Sequence, residues 1–118
     1  MYNIVFVMEF GRNSFEQMIK MKRQHSEFEI LTILRHLLEA GALLEQSRIS
    51  HNDIKPANII LNRHYDQVKL IDFGQARHVS KTKDPTLHRT LKWRGGTVAY
   101  ASPQLLAAWL QTDTGKNH

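Results

Sequence analysis

An α+β fold is what these 118 residues predict, and three patterns carry that expectation. Ile30, Ile33, Leu34, Leu37, Leu38 and Leu44 recur at helical spacing and mark a long amphipathic helix. Two short apolar runs, Ile59-Ile60-Leu61 and Val68-Lys69-Leu70-Ile71, flank a polar turn at residues 62–67 and read as a hairpin. Residues 2–10 (YNIVFVMEF) are rich in β-branched and aromatic side chains and read as a buried strand.

Taken in order, Gly11-Arg12-Asn13-Ser14 breaks the first run, and Ser14 caps a short helix reaching about Lys22. Ser26 with Glu29 three residues on is a capping box, which opens the long helix; it ends near Ser47. Gly41 lies inside it, at a cost of about 1 kcal/mol relative to Ala. Residues 49–58 form a polar loop containing Pro56, and Asp72 stands at the end of the second hairpin strand. Residues 75–101 show no sustained period and read as an extended loop. Ser102-Pro103 starts a last helix, since proline suits a first helical turn, with Leu105, Leu106, Trp109 and Leu110 as its apolar face. Residues 112–118 are polar and expected to fray.

Composition narrows the function classes. With no cysteine, the chain has no disulfide, thiolate metal site or cysteine nucleophile, which suits a reducing compartment. The six histidines other than His51 are scattered without metal-ligand spacing, so a zinc site is not expected. No apolar run approaches membrane-spanning length, and the apolar start lacks a basic leader and a cleavage site, so no membrane association is expected and the location is intracellular, cytoplasmic by default. The net charge is +5, with Arg77, Lys81, Lys83, Arg89, Lys92 and Arg94 in one stretch opposed only by Asp84. No aromatic series for base stacking accompanies them; the stretch reads as a solvated loop, and no nucleic-acid partner is expected.

The chemistry is concentrated in His51-Asn52-Asp53-Ile54-Lys55-Pro56-Ala57-Asn58, followed by Asp72-Phe73-Gly74. Phosphoryl transfer needs a carboxylate beside the attacking hydroxyl and hard oxygen ligands for Mg²⁺ on the phosphates. Asp53 suits the first role, and Asn58 and Asp72 suit the second. These runs, their order, and Gly96-Thr97, Tyr100 and Ser102-Pro103 after them resemble the catalytic domain of eukaryotic protein kinases, of the serine/threonine type.

The resemblance implies an incomplete protein-kinase-like fold: mostly the α-helical large lobe, with one small-lobe strand and the catalytic-loop hairpin. Residues 1–118 would be a partial kinase domain, 1–11 the last small-lobe strand and hinge, and 12–118 the first part of the large lobe without its later helices. It implies ATP and Mg²⁺ as cofactors and a protein as substrate, and leaves the oligomeric state open. Asp53 would orient the substrate hydroxyl and Lys55 would neutralise the transferred phosphoryl group. Thr97 would bridge these two, and Asn58 and Asp72 would bind Mg²⁺. Phe73 and His51 would pack together. Glu9 and Gly11 would bind adenine through their backbone, with Met8 guarding the inner pocket and Ile60 as its apolar floor.

Departures from the family pattern shape the expectation further. Asn52 stands where an arginine usually precedes the catalytic Asp, so Ser80, Thr82, Thr86 and Thr90 would lack their usual phosphate partner there. Gln104 replaces the glutamate that usually follows Pro103. No glycine-rich phosphate loop and no small-lobe lysine are found. The chain alone is therefore expected to be inactive. Two other readings stand beside the kinase: a kinase-derived module that acts by binding, and a kinase-fold enzyme acting on small molecules. Lys55 and residues 96–103 favour a protein substrate over the last.

Overall fold

The computed structural model describes residues 2–79 and 96–114. Within them, helices pack on a small antiparallel sheet, a mixed helix-and-sheet arrangement. Strand β1 (Asn13–Ser14) leads directly into helix α1 (Phe15–Lys20). Ser14 accepts the backbone N–H of Gln17, while the Gln17 side chain accepts the N–H of Ser14, so two donors at the helix start are satisfied reciprocally. Helix α2 (Glu27–Gln46) opens with the same device built from Ser26 and Glu29. Its acidic first turn also suits the positive end of the helix dipole.

After α2 come β2 (Ile49–Ser50), a 3₁₀ turn at Pro56–Asn58, and the hairpin β3 (Ile59–Leu61) and β4 (Val68–Leu70). The hairpin pairs Ile59 with Leu70, Ile60 with Lys69 and Leu61 with Val68. Its turn is fastened by Asn62, whose Oδ1 accepts the N–H groups of Asp66 and Gln67 at 3.0 Å each. β1 lies on the other side of β3, giving the order β1-β3-β4. A second, two-stranded ladder joins β2 to β5 (Arg77–His78). Another 3₁₀ turn, Val98–Tyr100, precedes helix α3 (Pro103–Thr114).

The core sits between α1, α2 and the hairpin. Met18, Ile33 and Leu61 are buried, Leu61 completely, with Phe15, Leu37, Tyr65 and Val68 packed around them. Alternation along β3 sends Leu61 and Ile59 inward and leaves Ile60 half-buried on the opposite side.

Four expectations need correction. Residues 2–10 are not a paired strand: no described strand forms a ladder with them, and Tyr2, Ile4, Phe6 and Val7 are exposed. Only part of the expected α2 face is inside. Ile33 is buried, but Ile30, Leu34 and Leu38 are half-exposed or more, because so small a sheet covers a narrower arc than those six residues span. In α3, Ala108 is buried while Leu110 is exposed. Residues 75–101 are not loop throughout; β5 and the second 3₁₀ turn fall within them, and each is too short to show a period. Ser80, Thr82, Thr86, Thr90 and most of the basic stretch lie outside the described residues.

The two stabilising features differ in kind, and so should their losses. Leu61→Ala should cost about 2–5 kcal/mol through the cavity it leaves, while Ser26→Ala should cost about 1 kcal/mol through the lost cap. Urea unfolding of the two variants should preserve that ranking.

Candidate active site

The loop between β2 and β3 is fastened to the segment after β4 through His51. That ring is buried; its Nε2 lies 2.8 Å from the Ile71 carbonyl, and its Nδ1 lies 3.1 Å from the Asp53 amide nitrogen. A carbonyl only accepts and an amide N–H only donates, so the imidazole carries its proton on Nε2. Its edge also packs on Phe73, with ring centroids 4.9 Å apart. One side chain thus fixes the backbone of Asp53 and of the residue before Asp72.

Asp53 is the centre of a hydrogen-bonded set. Thr97 Oγ1 donates to Asp53 Oδ1 at 2.8 Å, and Lys55 Nζ donates to the same Thr97 oxygen at 2.6 Å. Lys55 Nζ also lies 3.8 Å from Asp53 Oδ2. From the other side, Asn58 Nδ2 donates to the Asp53 carbonyl at 2.9 Å and to Oδ2 at 3.1 Å. These partners hold the Asp53 carboxyl below the ordinary carboxylate range: the Thr97 hydroxyl bond acts most strongly and outweighs partial burial, with Lys55 and Asn58 adding to it.

The hairpin brings Asn58 and Asp72 to one end. Ile59 pairs with Leu70, so Asn58 faces Ile71, and the Ile71 N–H donates to the Asn58 carbonyl at 2.9 Å. Asp72 follows with φ 60°, a left-handed conformation that Asp tolerates better than most residues. Its Oδ1 accepts the Gly74 N–H at 3.1 Å. Among the described residues no group of three or more His, Cys, Asp or Glu could hold a metal. Mg²⁺ on a nucleotide does not need one, because it takes one or two protein oxygens and completes its shell with phosphate and water. Asp72 offers a carboxylate, and Asn58, its nitrogen committed to Asp53, offers its amide oxygen. The donor set fits that ion.

A cavity of about 710 Å³ adjoins Asp72 and is lined by Met8, Glu9, Gly11, Ile60, Leu70 and Phe73 among others. That is the size of a small-molecule site. Its wall depends on Gly11: a Cβ there would lie 2.0 Å from Ile60 Cγ2, so only glycine permits this approach. Met8 lines the cavity yet is 83% exposed, and therefore closes nothing by itself. A second, smaller cavity of about 230 Å³ lies beside Asp53 and Thr97, with Tyr100 and Ser102 in its wall.

The structure therefore gathers Asp53, Lys55, Asn58 and Thr97 into one network, sets Asp72 beside them through the hairpin, and groups Met8, Glu9, Gly11 and Ile60 around the larger cavity. Two features escaped the sequence. Lys69 lines that cavity and pairs with Glu9, a contact across 60 positions with no local signal. Asn52 bonds to the Gln75 carbonyl at 2.9 Å; in the sequence the residue stands out only as a departure from the family pattern.

Comparison with known proteins places this arrangement in a class. The protein kinase domain family matches residues 1–117, and the chain belongs to that family. It is 30% identical over 105 residues to the serine/threonine-protein kinase ppk23 of Schizosaccharomyces pombe, covering 88% of this chain and 25% of that protein. It is 40% identical over 82 residues to cyclin-dependent kinase-like 1 of Caenorhabditis elegans, covering 70% and 21%. Among solved structures, it is similar to a chain of the yeast RNA Pol II CTD kinase CTDK-1 complex, with TM-score 0.68 and 26% identity, covering 83% of this chain and 30% of that one. The chain thus spans about a quarter of the length of ppk23. No described helix is long and apolar enough to cross a membrane.

Two consequences of the site geometry are measurable. Gly11→Ala should force Ile60 out of place, at about 1–3 kcal/mol for overpacking. Adding Ile60→Ala, which removes the clashing Cγ2 and leaves Cβ at 3.3 Å, should recover most of that loss in urea unfolding. Thr97→Val should raise the Asp53 pKa, read by carboxyl-carbon NMR titration. Because the folded-state value is lowered, the stability it contributes is present above the unfolded-state value and disappears as pH falls through the folded one. The part of the Thr97→Val deficit that comes through Asp53 should therefore be full near neutrality and vanish in that acid range, leaving only the cost of the lost Lys55 bond.

Proposed function

We propose that this chain supplies the catalytic loop, metal loop and part of the nucleotide site of an ATP-dependent protein serine/threonine kinase, with residues 1–11 at its hinge and 12–118 opening its large lobe. The observation that carries the reading is the set Asp53–Thr97–Lys55, hydrogen-bonded together, with Asn58 bonding both to Asp53 and, through its carbonyl, to the N–H of Ile71 just before Asp72. A carboxylate held ionised, a cation beside it and two oxygen donors at one hairpin end are what in-line phosphoryl transfer to a hydroxyl requires.

In this reading the hydroxyl oxygen of the substrate attacks the γ-phosphorus, the bond to the bridging oxygen of ADP breaks, and the hydroxyl proton passes to Asp53. Lys55, fixed by Thr97, offsets negative charge on the group in transfer. Asn58 and Asp72 would hold Mg²⁺, whose bound chemistry is neutralisation of the phosphate charge. Met8, Glu9, Gly11 and Ile60 would seat adenine, with hydrogen bonds from the backbone of Glu9 and Gly11. A protein hydroxyl, and serine or threonine in particular, is favoured by Lys55 two residues after Asp53 and by Thr97 after Gly96. The similarity to ppk23, a serine/threonine-protein kinase, supports the same choice.

The test is phosphate transfer by the protein as its gene encodes it, with Mg²⁺ and labelled ATP offered beside a protein mixture and beside small alcohols and sugars. Label on serine and threonine of proteins is expected, with Asp53→Asn lowering the rate by about 10²–10⁴-fold. Transfer to small molecules alone, or an Asp53→Asn protein as fast as its parent, would sink the reading.

A further inference from the structure

We propose that Asn52 is a positioning residue for Asp72, a role that rests on the function proposed above. Asn52 has φ 67°, in the left-handed region that asparagine enters more readily than most residues. Its side chain is fully engaged. Nδ2 donates to the Gln75 carbonyl at 2.9 Å and to the Ser50 carbonyl at 3.3 Å, while Oδ1 accepts the Ser50 hydroxyl at 2.6 Å. Both amide protons and the amide oxygen are thus committed, and the bond to Gln75 spans 23 positions of chain.

Gln75 lies in the turn that carries Asp72. That turn is closed by the Ala76 N–H on the Phe73 carbonyl at 3.0 Å, and within it the Gly74 N–H donates to Asp72 Oδ1. On the near side of Asp72, the Ile71 carbonyl is held by His51 and the Ile71 N–H by Asn58. On the far side, Asn52 holds Gln75. Asp72 is therefore gripped from both flanks by the loop that bears Asp53, and the far grip is a neutral amide. Partners that orient a metal-binding carboxylate typically affect metal affinity by 10–100-fold when removed.

Two variants separate the clamp from the backbone geometry. Asn52→Gly keeps the left-handed conformation accessible and removes the side chain. Asn52→Asp keeps the shape and the Ser50 hydroxyl bond, but turns a carboxylate oxygen toward the carbonyls of Gln75 and Ser50. Both should raise the Mg²⁺ concentration for half-maximal rate by about 10–100-fold, leave the KM for the protein substrate unchanged, and speed amide hydrogen exchange at Gly74 and Ala76. Exchange at Gln17 and Glu29, in the helix caps, should stay as in the parent. Exchange at Gly74 and Ala76 unchanged in both variants would overturn the clamp. Faster exchange with an unaltered Mg²⁺ requirement would overturn its role toward Asp72. A parent protein without phosphoryl transfer would instead refute the proposed function, and the exchange comparison would still decide whether the clamp exists.

Discussion

The antiparallel register of β3 on β4 decides where Asn58 and Asp72 stand. Pairing Ile59 with Leu70 puts Asn58 opposite Ile71 and so beside Asp72. The same register sends Leu61 wholly into the core and Ile60 to the cavity, where it meets Gly11. Side chains alternate along a strand, so a slip of one residue would exchange the faces of Leu61 and Ile60 and carry Asn58 past Ile71. Burial of a leucine side chain stabilises by about 1.5–3 kcal/mol, and no room for a Cβ exists at Gly11. Core packing and cavity shape therefore enforce one register from opposite faces of the same strand.

The long-range ties then act on a frame already set. His51 spans from the Asp53 amide to the Ile71 carbonyl, and β2 pairs with β5 below it. Asn52 and Asp72 both hold left-handed backbone, which costs side-chain-bearing residues something unless neighbours over-determine it. Here they do, through the Asn52 bonds on one and the Gly74 amide on the other.

What could be read in the sequence follows from the range of each interaction. Both capping boxes were legible or half-legible because a cap acts across three residues; Ser26 with Glu29 was read in full, while Gln17 as the partner of Ser14 was not. The hairpin was legible because Ile59-Ile60-Leu61 and Val68-Lys69-Leu70 sit close in the chain. β1 and β5 were not, since two residues carry no period and their pairing is decided by partners 46–48 and 27–29 positions away. The run at residues 2–10 misled for the opposite reason: its composition suits a strand, but composition supplies no neighbour. At the site, residue types and order pointed to Asp53, Lys55, Asn58, Asp72 and Thr97 through resemblance, whereas the bond from Asn52 to a backbone carbonyl leaves no trace in residue type at Gln75.

The Asp53 network raises a question of capacity, because the base role proposed for Asp53 needs a carboxylate lone pair left open to a new donor. A carboxylate offers about four lone-pair sites. Thr97 fills one on Oδ1 and Asn58 fills one on Oδ2. Lys55, at 3.8 Å from Oδ2, is too far for a hydrogen bond there and donates to Thr97 Oγ1 instead. Asp53 thus keeps lone pairs open to a further hydroxyl donor without releasing either neighbour. The donors that fix its orientation also keep it ionised, so a hydroxyl arriving at the small cavity beside Thr97 and Tyr100 meets an acceptor already aimed and charged. Preorganisation of that kind has its cost met in folding, before any substrate arrives.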